Sequence, residues 1–357
     1  MVSTDKFRKT FSAVFAEVGK VIVGQQEALE QIAIAMLCNA NALLEGYPGL
    51  AKTLMVKTMA DIMDLSFSRI QNTPDLMPSD ITGTYVLQEQ NGKRIFKFQQ
   101  GPIFANIVLA DEINRATPKT QSALLEAMQE KQVTVGTETF ILDKPFFVLA
   151  TQNPIEQEGT YPLPEAQSDR FLFKIKTEYP TMEDELEIVE RYSSTMKVPP
   201  VRKILNKESI LALQSYVRQI PCSKDIKERA VKIVTATRKG KTLIEYGASP
   251  RASINMIIAS KARALIQGRN HVTNEDLNAV AIPILRHRII LNFEAERRGI
   301  STDDAIKEIL KQIRWLIHLN YVDNSKLAFS YNLIPSELRQ KALSENASER
   351  SPEKMML

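Results

Sequence analysis

The chain reads as an α/β protein: a parallel sheet of five strands sandwiched by helices, with an all-α segment behind it. Three observations carry this reading. Short strand-like runs at 42–44, 66–70, 106–112, 146–153 and 171–175 are spaced by stretches of helical period, as in a parallel sheet buried on both faces. The first run passes at once into a glycine loop that opens a helix. Beyond Tyr179-Pro180 the pattern is helical throughout. The expected division is an α/β domain over 1–180, a helical domain over 181–325, and a partly flexible extension over 326–357.

In chain order, Phe7, Phe11, Val14, Phe15 and Val18 recur at helical spacing, and Gly19 ends the helix they define. Val21-Ile-Val23-Gly24 follows, then a second helix from Gln25 to about Asn39. An apolar turn such as Val23-Gly24 either holds the adenine ring of a nucleotide or is an ordinary turn between helices.

The stretch Asn41-Ala-Leu-Leu-Glu-Gly-Tyr-Pro-Gly-Leu-Ala-Lys-Thr53 organises the rest. Strand, glycine loop and helix in that order make a phosphate cradle, because backbone N–H groups can turn inward around an anion at a helix N-terminus. Gly46, Pro48, Gly49, Leu50, Ala51 and Leu54 belong to this loop and its exit. Lys52 reaches the β- and γ-phosphates, and Thr53 places its hydroxyl on magnesium. Ala51 stands where G-x-x-x-x-G-K-[ST] has its last glycine; the cradle survives this if residue 51 has negative φ.

Ser66 to Ile70 alternates as a strand. Tyr85–Gln88 and Ile95–Phe98 flank Asn91-Gly92, a hairpin signal; the hairpin reads as an insertion. Asn106-Ile-Val-Leu-Ala-Asp-Glu112 is a buried strand with two acids at its C-terminal end, where ligands bind in open α/β sheets. Asp111 can hold magnesium and Glu112 can polarise an attacking water; alone, the pair also suits two solvated acids at the end of a strand. Thr117-Pro118 caps a helix reaching Glu130. A second hairpin crosses Gly136. The run from Phe146 ends in Thr151-Gln-Asn153, where Asn153 either orients the water or caps the turn before Pro154. Arg170, just before the last strand, is either a solvated arginine or a charge reaching a neighbour's phosphate. Arg251 lies in the first turn of a helix after Ser249-Pro250; there the dipole opposes a cation, so either an anion such as phosphate is near or the side chain is merely solvated. Thr273-Asn-Glu-Asp276 resembles a capping box, and Leu310–Leu319, with Trp315, predicts a further helix. Ser344–Lys354 is expected to fray.

Composition narrows the function. Forty-six Lys and Arg against 42 Asp and Glu leave only +4, which makes no case for a general polyanion binder. Cys38 and Cys222 lack metal-ligand spacing, so a structural zinc site is not expected and a reducing, cytoplasmic setting fits. No run approaches the roughly 20 apolar residues of a membrane span, and Met1–Thr10 lacks a signal-peptide core.

Four motifs stand in order: Gly46-Tyr-Pro-Gly-Leu-Ala-Lys-Thr53, Leu109-Ala-Asp-Glu-Ile-Asn-Arg-Ala116, Ala150-Thr-Gln-Asn-Pro154 and Leu163-Pro-Glu-Ala-Gln-Ser-Asp-Arg-Phe171. The series resembles the MoxR family of AAA+ ATPases over about residues 15–325, and the two hairpins resemble that group's helix-2 insert and pre-sensor-1 hairpin. The resemblance implies that Lys52 and Thr53 form Walker A, Asp111 and Glu112 Walker B, Asn153 sensor 1, Arg170 the arginine finger and Arg251 sensor 2. Ala51 also matches that family's usual loop. It further implies ATP and Mg as cofactors, a ring that is usually hexameric, and a chaperone-like motor that remodels or matures partner proteins, often with von Willebrand factor A domain proteins. A metal-chelatase motor subunit shares the same motor chemistry. A ring helicase or DNA-remodelling ATPase shares the inserts, but the hairpin Thr134–Thr139 carries one acid and no Lys or Arg.

Overall fold

A computed structural model describes residues 4–90, 93–155, 159–193, 199–239 and 242–321. The chain divides into Met1–Lys307 and Glu308–Leu357. The predicted Asn91-Gly92 turn and the extension from 326, with its expected fraying, lie outside the described residues.

Two helices, α1 (Thr4–Gly19) and α2 (Gln26–Leu37), precede strand β1 (Ala42–Gly46). There follow α3 (Lys52–Ile62), β2 (Phe67–Gln71), α4 (Pro78–Thr82) and the hairpin β3 (Gly83–Gln90) and β4 (Lys93–Gln100). Next come β5 (Ile107–Asp111), α5 (Pro118–Glu130), the hairpin β6 (Gln132–Val135) and β7 (Glu138–Ile141), then β8 (Phe147–Gln152), α6 (Glu165–Ser168) and β9 (Phe173–Thr177). The helical part comprises α7 (Met182–Tyr192), α8 (Lys207–Gln219) and α9 (Lys224–Lys239), a strand β10 (Ile244–Tyr246), α10 (Pro250–Ile266) and α11 (Asn274–Leu285). It closes with β11 (Ile290–Leu291), α12 (Phe293–Arg297) and α13 (Thr302–Tyr321), the last crossing the division at 307.

The five-stranded sheet has the order β2-β5-β8-β1-β9, and every pairing in it is parallel. The core strands read as continuous apolar runs because both faces are covered: Leu43, Leu44, Val108, Leu109, Val148 and Leu149 are all buried. On one face, Leu124, Leu125 and Met128 of α5 pack with Ile81, Ile103 and Phe171. Helix starts follow local chemistry. Thr117 caps α5 ahead of Pro118, and Thr273 with Asp276 closes a capping box on α11.

Two details differ from expectation. The last strand begins at Phe173 rather than Phe171: Phe171 and Leu172 are buried in the turn before it, where Leu172 N donates to Asn41 O at 2.8 Å. The helical part also holds a two-stranded ribbon, β10 antiparallel to β11; pieces of three and two residues are too short for a period of two to show in the sequence.

Candidate functional site

Parallel strands send all their C-terminal ends to one edge of the sheet, and three predicted motifs meet there. Gly46 ends β1, Asp111 ends β5, and Asn153 directly follows β8, which lies between those two strands. With strands about 4.8 Å apart, the loop after β1 and the acids after β5 are separated by about 10 Å.

Gly46 is required by packing. A Cβ there would come within 1.7 Å of Thr177 Oγ1 on β9. Gly49 takes φ +83 at the exposed bend, and Tyr47 stacks on Tyr179 at 4.8 Å between ring centroids. Ala51 does not have the negative φ on which the sequence reading depended. Its φ is +52, a left-handed conformation that costs an alanine about 1–2 kcal/mol. The helix start holds it there, since Met55 N donates to Ala51 O at 2.9 Å. Lys52 opens α3 and its Nζ donates to Gly46 O at 2.7 Å, folding the side chain back over the loop. Thr53 and Leu54 follow in the first turn of α3.

A cavity of about 260 Å³ adjoins this loop. Val21, Ile22, Leu50, Leu54, Ile188 and Tyr192 line it, and Val23, Gly49 and Ala51 also reach it. Tyr192 OH donates to Val21 O at 2.7 Å, tying α7 to the turn ahead of α2. Gly24 (φ +66) sits against Asp184, whose Oδ2 would stand 3.0 Å from a Cβ. Aliphatic walls beside a phosphate-type loop suit a flat, apolar ring.

The acid pair is held rigidly. Thr151 Oγ1 donates to Asp111 Oδ1 at 2.6 Å and accepts from Glu112 N at 2.8 Å. Arg69 Nη2 pairs with Asp111 Oδ2 at 2.6 Å. Glu112 has φ +55, and its Oε2 accepts from Gln71 Nε2 and Arg115 Nη1, both at 3.0 Å. Asn114 Oδ1, two residues on, is buried with no hydrogen-bond partner. Asn153 Oδ1 accepts from Ile155 N at 3.2 Å, the local bond that the capping alternative anticipates.

Sequence reasoning passed over Arg69, Gln71, Arg115 and Thr151. Arg69 and Gln71 share one face of β2, and Gln71 stands level with Asp111. No local signal says that β2 neighbours β5. Thr151 is the first member of the polar triplet ending β8, which marked the place without marking its role.

Arg170 and Arg251 are not brought to this edge. Asp169 and Arg170 precede the N-terminal end of β9, while Gly46 pairs with Thr177 at its C-terminal end. Five paired residues make this about 13 Å, beyond the reach of an arginine side chain. Exposed Arg170 donates from Nη1 to Leu125 O at 3.3 Å. Arg251, at the start of α10, pairs with Asp169 Oδ2 at 3.1 Å. The anion beside this helix-start cation is therefore a carboxylate of the same chain. Arg288 also binds Asp169, at 2.7 Å; burial lowers its pKa to about 10, and the Asp169 charge opposes that shift.

Known proteins resemble this chain over most of its length. Residues 41–173 match the family model described as "ATPase family associated with various cellular activities (AAA)", and 237–309 match an AAA lid domain. The chain is 44% identical to Chaperone MoxR1 of Mycobacterium tuberculosis over 312 residues, 85% of this chain and 82% of that protein. It is 42% identical to Uncharacterized protein YeaC of Bacillus subtilis, over 83% and 92% of the two chains. Among solved structures, a putative ATPase from Cytophaga hutchinsonii superposes with a TM-score of 0.80 at 48% identity, covering 86% of this chain and 95% of that one.

Proposed function

Because this chain belongs to the MoxR family of AAA+ ATPases, we propose that it hydrolyses ATP to ADP and phosphate and uses the energy to remodel partner proteins. The supporting observation is the shared edge: the Gly46–Thr53 loop, the locked acid pair and an apolar cavity lie side by side at the C-terminal ends of β1, β5 and β8. In this reading Val23, Gly24, Leu50 and Leu54 hold the adenine end. The loop N–H groups and Lys52 hold the phosphates, which draws Lys52 off Gly46 O. Glu112 takes the proton of the attacking water and Asn153 orients that water.

The residues present fit a magnesium ion. Thr53 and Asp111 are hard oxygen donors, and the orphaned Asn114 Oδ1 shows buried polar capacity near the acid pair. When bound, the ion would neutralise phosphate charge.

Arg170 and Arg251 lie at the opposite end of β9 from their own loop, which supports a trans role for both. In a homo-oligomeric ring, hexameric by family likeness, they would meet the neighbouring subunit's phosphate. The same reading places the motor core in 1–180 and the lid in 181–325. It takes a von Willebrand factor A domain protein or another protein client as partner, in the cytoplasm. No described helix is long and apolar enough to cross a membrane.

The test is Glu112→Gln. ATP should bind with near wild-type affinity while hydrolysis falls by about 10²–10⁴, the typical worth of a positioned base. Turnover close to wild type would move the catalytic role away from Glu112.

A further inference from the structure

Asp169 gathers more partners than a linker residue needs. Its side chain is 22% exposed, yet two arginines and a hydroxyl converge on it. Arg288, 1% exposed, gives Nε to Oδ1 at 2.7 Å. The other donors of Arg288 are spent on Leu172 O, Ile284 O, Asp169 O and Phe171 O. One buried guanidinium thus fixes the backbone on both sides of Arg170. The remaining oxygen, Oδ2, meets the first turn of α10, accepting from Ser249 Oγ at 3.2 Å and Arg251 Nη1 at 3.1 Å. A cation at that helix start opposes the dipole, and Asp169 supplies the compensating charge. Asp169 is also the covalent neighbour of Arg170, so a single carboxylate sets the spacing between the two arginines.

We propose that Asp169 is the positioning residue of this arginine pair: anchored by Arg288, it holds Arg251 beside Arg170 so that both meet one phosphate group. The proposal rests on the reading of Arg170 and Arg251 as phosphate-binding residues. An anchored carboxylate behind a half-exposed guanidinium removes rotamer freedom that would otherwise be lost in the transition state.

The experiment is a double-mutant cycle on steady-state ATP hydrolysis by the full-length chain. Asp169→Asn should lower kcat roughly tenfold and leave KM for ATP within about twofold, since the loss is in the transition state. In an Arg251→Ala background the same change should cost less than about twofold more, because its route is already gone. Asp169→Glu should recover most of the loss. An equal cost in both backgrounds would reduce Asp169 to a structural partner of Arg288 and overturn the proposal. A rise in kcat would make it a brake and also overturn it. Should Asp169→Asn fail to fold, Ser249→Ala keeps the Asp169–Arg288 pair and loosens only Oδ2. Its kcat loss must likewise vanish in the Arg251→Ala background, and a persisting loss is again fatal. If Arg170→Ala and Arg251→Ala keep wild-type kcat, the functional reading fails. If they lose it while Asp169→Asn does not, only the positioning role fails.

Discussion

Thr151 Oγ1 stands 2.6 Å from Asp111 Oδ1, and with its lone pairs it also receives the N–H of Glu112. One buried hydroxyl on β8 therefore sets the place of Asp111 at the end of β5 and of Glu112 just after it. Thr151→Val keeps the shape and removes both bonds, leaving a buried acceptor on Asp111 and the part-buried N–H of Glu112 without these partners. A cost of about 1–3 kcal/mol is expected. That cost is one of folding stability and should appear as a lowered melting temperature. Displacement of the loosened acids should separately reduce kcat roughly tenfold, with ATP affinity little changed. Calorimetry and turnover on one preparation separate these effects; a stable, fully active variant would show that the acids need no such fixing.

The cavity beside the loop predicts a uniform effect on nucleotide binding. Ile188 lines it from the half-exposed face of α7, so Ile188→Trp fills it without entering the sheet core. ATP and ADP should both bind more than tenfold weaker, at least about 1.4 kcal/mol, whereas Ile188→Val should bind nearly as wild type. Titration calorimetry with each nucleotide decides. Unchanged affinity in Ile188→Trp would mean that the adenine lies elsewhere.

The position of Arg170 at the far end of β9 predicts complementation between subunits. Arg170→Ala should bind ATP and hydrolyse almost none, since a trans arginine is worth about 10³–10⁵ in rate. Lys52→Ala should fail at binding instead. Mixed oligomers place an intact loop against an intact arginine at some interfaces, so activity should return on mixing. Mixed oligomers that stay inactive at every ratio would rule out the trans role.

A pH effect on stability is expected from His287. Its Nε2 donates to Phe171 O at 3.1 Å, and its Nδ1 is buried without a hydrogen-bond partner. Burial, then the charge of Arg288, pushes its pKa well below 6.5, with Lys174 and Arg286 adding to the shift. Below pH 6.5 the unfolded chain takes up a proton that the folded chain refuses. This contribution is therefore intact above pH 6.5 and is lost as pH falls, at up to about 1.4 kcal/mol per pH unit. Thermal melts between pH 7 and 5.5 should show the decline, and His287→Gln should flatten it. An equal slope in both proteins would assign the titration to another group.

Much of this protein was legible in its sequence because the signals are local. A glycine loop between strand and helix, two acids ending an apolar run and a threonine ahead of proline each act within a few residues. They determined the parallel sheet, the helical lid and the candidates at the C-terminal edge of the sheet. Ala51 marks a limit even there: its identity was plain, but the left-handed φ it adopts is imposed by the loop. Only the tertiary structure decided which residues share an edge. The order β2-β5-β8-β1-β9 brings Arg69 to Asp111 across 42 positions, and Thr151 to Asp111 and Glu112 across 40 and 39. The direction of α10 sets Arg251 on Asp169, 82 positions away, rather than beside Lys52. Such pairings depend on strand neighbours and helix packing. Neither leaves a periodicity in the chain, so no reading of spacing could have found them.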